Sequence, residues 1–231
     1  MARENIRLQS ASPSELYSEE WLEVQKLMRY ALSSAGLPRT QEEIDYLLHW
    51  GDLYSFRESR VEPGSGSFNP NQSFANLQTV RAFDGADLVG YLYCADNTSG
   101  SPLLRWSKMR LPHLRHRKYA WLREVATHPE YQGQHVASAL GYLALKDKKP
   151  KQGVSAYVWR ENEAAMAAAA SLEMEATDSQ HLQVFGEGTE PVEQIRYASS
   201  VYDLTRELLK RPEVAKLAIS RTKTQRNAWL E

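Results

Sequence analysis

A single cysteine, Cys94, occurs in the 231 residues of the chain. No intrachain disulfide can form, and this usage fits a reducing cytoplasm. The sequence also lacks any apolar run near the roughly 20 residues that span a bilayer. Its first ten residues, MARENIRLQS, carry no apolar signal core, so no membrane association is expected. An excess of either charge is missing as well. The 28 Lys and Arg against 29 Asp and Glu leave a net charge of −1, and nothing pulls the whole molecule toward nucleic acid or an anionic surface. No internal repeat and no low-complexity tract is present. What remains is an enzyme-sized chain with 42% hydrophobic and 25% charged residues, enough to bury one good core.

The richest stretch is 122–145, LREVATHPEYQGQHVASALGYLAL. A β-prone run leads through a His-Pro break and a Gly/Gln-rich turn into apolar residues at helical spacing. Val136, Ala139, Leu140 and Leu143 mark one buried helix face; Lys146, Lys148 and Lys149 complement the C-terminal end, and Pro150 ends the helix. The first turn of such a helix leaves N–H groups without intrahelical partners and carries partial positive charge. A pyrophosphate satisfies both, and Gly133 permits the backbone a tight turn there. An ordinary strand–helix connection accounts for the same pattern.

Two long connections stand out. The first, 55–76, contains PGSGS and NPN turn chemistry; its Phe56, Phe68 and Phe74 read either as pocket walls or as aromatics pinning a loop to the core. The second, 104–118, carries Arg105, Lys108, Arg110, Arg115, Arg117 and Lys118 without an acid. A solvated basic loop is the ordinary reading; the functional ones are an anionic acceptor, a cofactor phosphate, or an RNA with Trp106 available to stack. His113 and His116 lack Cys or carboxylate partners nearby, so no metal is expected.

Taken in order and spacing, these segments resemble the GNAT superfamily of acyl-CoA-dependent N-acyltransferases. Residues 5–11 look like its first strand, and 15–36 and 39–50 like the two helices that follow. The run 77–93 is similar to the second and third strands joined at Asp84-Gly85, a hairpin signal. Residues 125–137 resemble the fourth strand and the acyl-CoA loop, 154–159 the fifth strand, and Asn162-Glu-Ala-Ala the Asn-x-x-Ala start of the next helix. The resemblance implies an α/β (α+β) fold, a mixed, mainly antiparallel central sheet flanked by helices, over residues 1–200. Residues 201–231 then form a helical extension, with Val201, Leu204 and Leu208 on one face and Pro212 opening a second helix. It packs on its own domain or on a second subunit in a homodimer.

The function so implied is transfer of an acetyl or other acyl group from acyl-CoA to an amine acceptor. Acetyl-CoA or a longer acyl-CoA is the co-substrate, held by backbone around Val125, Ala126 and Thr127, by Gln132, Gly133, Gln134, His135, Val136, Ala137 and Ser138, and by Asn162. The sequence departs from the family in two places. His135 stands where the acyl-CoA loop has its central glycine: either the backbone φ is negative there and the ring is tolerated, or the imidazole contacts the cofactor, or the loop has lost it. Ala169 stands where the family has a tyrosine serving as general acid, and Glu173-Met174 replaces a Gly-Phe pair. Tyr157, Ser171 and Cys94 are nearby in the family layout but are accounted for as structure. Glu124 is the only acid of the fourth strand and the candidate general base, although simple alternation places it on the face opposite Trp121, Arg123 and Val125; a bulge would re-aim it. The competing functions are a degenerate acyl-CoA-binding sensor or interaction domain and a tRNA-directed acetyltransferase.

Overall fold

The computed structural model describes residues 6–11, 18–34, 74–97, 119–182 and 192–217. The helix expected at 39–50, the basic segment 104–118 with Trp106, His113 and His116, and Phe56 and Phe68 lie outside them. Among the described residues seven strands form one sheet: β1 (Ile6–Ala11), β2 (Phe74–Asp84), β3 (Asp87–Asn97), β4 (Tyr119–Thr127), β5 (Gly153–Trp159), β6 (Glu175–Leu182) and β7 (Val192–Ser200). Their spatial order is β1-β2-β3-β4-β5-β7-β6. Every neighbouring pair is antiparallel except β4 with β5. This is the mixed, mainly antiparallel sheet anticipated from the sequence. Strand β2 starts at Phe74, inside the segment read there as irregular.

Local chemistry accounts for the hairpin between β2 and β3. Asp84 pairs with Asp87 across a two-residue loop whose first residue, Gly85, has φ 62°; a glycine with positive φ at that position matches the twist of the flanking strands. Helix α1 (Ser18–Ser34) presents Val24, Leu27, Met28 and Ala31 at i, i+3, i+4 and i+7. It packs them on Tyr91, Tyr93, Ala126 and Leu88 at one face of the sheet. Among the described residues no helix is long and apolar enough to cross a membrane.

The opposite face carries the larger core. Helix α2 (Val136–Leu145) buries Val136, Ala139, Leu140 and Leu143 against Val80, Ala82, Leu92, Cys94 and Ala120, the face expected from the spacing. Its end differs from expectation: the last helical residue is Leu145, and a turn over 146–151 precedes β5. Pro150 therefore lies beyond the helix, where its carbonyl accepts the N–H of Tyr202 at 3.1 Å. Lys148 does not complement the helix end either. Its ammonium donates at 2.7 Å to Asp96 Oδ1, which also takes Gln152 Nε2 at 2.8 Å, both carboxylate and ammonium being nearly buried. This cluster ties the end of β3 to the α2–β5 connection, and a charge so enclosed persists only because it is paired.

Two further short helices lie in this layer, α3 (Glu163–Ser171) and α4 (Val201–Leu209). Asn162 caps α3 by accepting the Ala165 N–H at 3.0 Å, and Ser200 caps α4 by accepting that of Asp203 at 3.0 Å. Val201, Leu204, Leu208 and Val214 are buried in the same core as α2, and residues 212–217 are helical after Pro212. The described part of the extension, 201–217, thus packs on its own chain.

The approach of α2 to the sheet depends on Gly90. A Cβ there would lie 2.7 Å from Val136 Cγ1 and 3.1 Å from Leu140 Cδ1. Gly90→Ala is therefore expected to destabilise the fold by about 1–3 kcal/mol, the usual cost of overpacking. Urea unfolding with an unchanged midpoint would show that α2 yields without strain.

Candidate active site

Strands β4 and β5 pair in parallel only from Tyr119↔Gly153 to Leu122↔Ala156. Beyond that point β4 runs on to Thr127 and β5 to Trp159, with no ladder between them. On its other edge β4 stays paired with β3 as far as Thr127↔Gly90. The β5-facing edge of 123–127 is thereby open, and open strand edges present N–H and C=O groups to whatever enters.

A bulge occurs at the same place. Leu122 opposes Cys94 and Glu124 opposes Tyr93, leaving Arg123 as the extra residue. Cys94 faces the α2 core, whereas Tyr93 faces α1. Opposed residues share a face, so Leu122 points to the α2 side and Glu124 to the α1 side. Alternation from Leu122 puts Trp121 on the α1 side as well. Of the two placements open in the sequence, simple alternation, with Glu124 opposite Trp121, does not hold, and the bulge does, because it changes the parity between them. Trp121 meets Tyr157 edge to face, with centroids 5.6 Å apart, and Tyr157 is the first β5 residue past the last rung of the ladder. Half-buried Glu124, Trp121 and Tyr157 line the mouth of the gap. Burial pushes the Tyr157 phenol above its ordinary pKa and the Asp178 carboxylate adds to this, with Arg196 opposing; the group stays a proton donor at neutral pH.

Along the open edge, Val125 is exposed and Ala126 is buried toward α1. Thr127 has a buried Oγ1 with no hydrogen-bond partner among the described residues. The chain then turns through a 3-10 helix, Pro129–Tyr131, anchored by the Tyr131 hydroxyl donating to Asp84 at 2.7 Å. Gln132 and Gly133 are exposed, Gly133 with φ 74°. Gln134 donates through Nε2 to the Glu130 carbonyl at 2.8 Å, while its Oε1 is buried without a partner. His135, immediately before α2, has φ 61° and ψ 17° and makes no side-chain capping bond. The opening N–H groups of α2 are consequently uncapped, with left-handed residues on the approach, an arrangement suited to an anion. In the first turn Val136 is buried, Ala137 is exposed, and Ser138 is half-buried, its Oγ accepting from Arg211 Nη1 at 3.0 Å.

The reading of His135 with negative φ does not hold. It occupies the left-handed region that favours glycine, its Nε2 lying 3.9 Å from Glu213 Oε2. Glu173 behaves in the same way. It follows α3 with φ 54°, while the Met174 N–H returns to the Ala169 carbonyl at 3.1 Å and that of Glu173 to Ala170 at 3.0 Å, closing the helix end in a geometry usually built on glycine. These are the two non-glycine residues with positive φ among the described residues, and both stand where the family pattern has glycine.

Other candidate residues take structural positions. Asn162 spends its side-chain oxygen on the α3 cap, leaving only its amide N–H groups for a ligand. Ala169 is 6% exposed and lies in the core with α2, so a tyrosine there would have to enter packed apolar space. Cys94 is fully buried, its thiol pushed up to about 12 chiefly by burial, and is inert as a nucleophile. No group of three or more His, Cys, Asp or Glu among the described residues is arranged to hold a metal. Sequence reasoning missed Arg211 and the Trp121–Tyr157 pair. Their contacts join segments distant in the chain, and no local pattern marks them.

A strand pair that parts beside an uncapped helix start can be compared with known proteins. The model of the acetyltransferase (GNAT) family matches residues 45–173, more than half of the chain. The chain belongs to the GNAT acetyltransferase family. Among solved structures, a putative acetyltransferase of the GNAT family from Desulfovibrio desulfuricans is 13% identical with a TM-score of 0.51, the match covering 85% of this chain and 99% of that one. The smu.2055 protein of Streptococcus mutans is 16% identical with a TM-score of 0.50, covering 84% and 99%. At such identities the likeness is one of fold. No curated protein matches the chain.

A non-glycine residue held at positive φ costs about 1–2 kcal/mol. His135→Gly and Glu173→Gly should each stabilise this GNAT domain by about 1 kcal/mol, net of the entropy that glycine adds to the unfolded chain. Thermal unfolding should move up by a few degrees per substitution; a fall for His135→Gly would mean that the imidazole itself holds the loop.

Proposed function

We propose that the chain transfers an acyl group, acetyl in the first instance, from acyl-CoA to an amine. The observation that carries this reading is the parting of β4 from β5 after Leu122↔Ala156, next to the uncapped start of α2. The open edge of 123–127 suits an extended amide-bearing chain such as pantetheine, and its N–H groups suit the oxygen of a thioester carbonyl. Donors fixed by a sheet before the reaction stabilise developing negative charge without reorganising. The backbone of 133–138, with its left-handed Gly133 and His135, suits a pyrophosphate. The buried, unpartnered Oγ1 of Thr127 fits a polar ligand in the gap.

In this reading Glu124 takes the proton of the attacking amine. It lies on the Trp121 and Tyr157 side of the sheet, so the acceptor enters from the α1 face and the donor from the α2 face. Attack forms the amide bond and breaks the thioester C–S bond, and the departing thiolate is protonated from water or from a group other than residue 169. The acceptor is an amine; the basic segment 104–118 is the candidate contact for an anionic one. A second reading, an acyl-CoA-binding domain without turnover, is favoured by the core position of Ala169.

Calorimetry with acetyl-CoA and CoA tests the donor, and thiol release from acetyl-CoA across a panel of amines tests the chemistry. Ala137→Asp, placing a carboxylate on the exposed first turn of α2, should weaken acetyl-CoA binding tenfold or more. Glu124→Gln should lower turnover by roughly 10²-fold with donor affinity unchanged. Absence of acetyl-CoA binding by the wild type would end the proposal, and binding without thiol release from any amine would favour the second reading.

A further inference from the structure

The extension after β7 does more than fill the core. Leu208 and Val214 are buried against α2, and between them the chain turns at Arg211, whose carbonyl accepts the N–H groups of Val214 and Ala215 at 3.1 and 3.2 Å. That turn aims the Arg211 side chain at the start of α2. Nη1 donates to Ser138 Oγ at 3.0 Å, and Nη2 donates to Ser171 Oγ at 2.9 Å and to the Ser171 carbonyl at 3.2 Å.

Electrostatically this is an odd place for a cation. The first turn of α2 contains no acidic residue, and the partial positive charge of a helix start disfavours a second positive group beside it. The other arginines of this half of the molecule whose side chains are described, and several of its lysines, have carboxylates: Arg160 has Glu193, Arg196 has Asp178, Arg206 and Lys210 share Glu207, and Lys148 has Asp96. Arg211 has only hydroxyls and a carbonyl among the described residues. The nearby carboxylate of Glu213 is directed instead to His135 Nε2, at 3.9 Å. A guanidinium carries five N–H donors, and the three contacts leave two for another acceptor. A planar, permanently charged fork next to uncapped helix N–H groups matches a phosphate.

We propose that Arg211, delivered by the C-terminal extension, is a donor-recognition residue that binds the pyrophosphate of acyl-CoA together with the first turn of α2. The inference rests on the acyl-CoA reading above and deepens it: the extension becomes part of the donor site. On binding, the guanidinium keeps its hold on Ser171 and turns its free donors, with Nη1, to the phosphate. Ser138 Oγ is released to the same ligand.

Calorimetry with acetyl-CoA, CoA and 3′-dephospho-CoA tests this on the full chain. Arg211→Ala should weaken all three by about tenfold or more and flatten the salt dependence of binding, since the lost contact is between charges. Arg211→Lys, which keeps the charge but not the fork, should fall between. Ser171→Ala, which removes one hydroxyl that holds the arginine and no ligand contact, should weaken affinity less than Arg211→Ala does. Three results overturn the assignment: an Arg211→Ala protein that is less stable but binds all three ligands as the wild type does; a loss for CoA but not for 3′-dephospho-CoA, which moves the contact to the 3′-phosphate; or a wild type that binds none of them. Only the last also removes the donor reading.

Discussion

The parallel pairing of β4 with β5 holds for four residues and then ends, and most of what is chemically interesting in this protein depends on that parting. A parallel pair needs a crossover, here α2, which brings a helix start to the carboxyl end of β4, where the strands separate. The bulge at Arg123 sits at the same point and reverses which residues of β4 face α1. A gap in the sheet, open backbone on one wall, an uncapped helix start above it and a carboxylate on the far face therefore arise from one local arrangement. The pressing of α2 onto Gly90 and the buried Asp96–Lys148 pair hold it from both ends.

Two backbone positions show how far conformation outlasts residue identity. His135 and Glu173 hold the left-handed conformation that glycine adopts without cost, one at the entry to α2 and the other at the exit from α3. The tertiary structure overrides the local preference because α2 is locked to the sheet by Val136 and Leu140, and α3 is tied down by Ala169 and Met174. The strain is confined to single residues at helix boundaries. The loop thus holds a left-handed residue at the entry to α2 although that residue is not glycine.

The residues that bear on the proposed transfer are few and far apart in the chain. The core holds Ala169, the sheet mouth holds Glu124, Trp121 and Tyr157, and the extension holds Arg211. Acyl transfer between a thioester and an amine asks mainly for alignment and oxyanion stabilisation, both of which backbone can supply.

Much was legible in the residues themselves. The Asp84-Gly85 hairpin and the buried stripe of α2 follow from periodicity and turn chemistry acting within a few residues, and the order of the strands as far as β5 followed from the family resemblance. The bulge was not decided by the sequence, which offered it only as an alternative to simple alternation, since a one-residue change of register depends on how β3 and β4 pair, and the face of Glu124 stayed open with it. Nor were the end of α2 ahead of Pro150, the φ of His135, the burial of Ala169 or the reach of Arg211 to Ser138 and Ser171. Each depends on packing between segments far apart in the chain, where the free energy of a shared core outweighs the preference of any single residue.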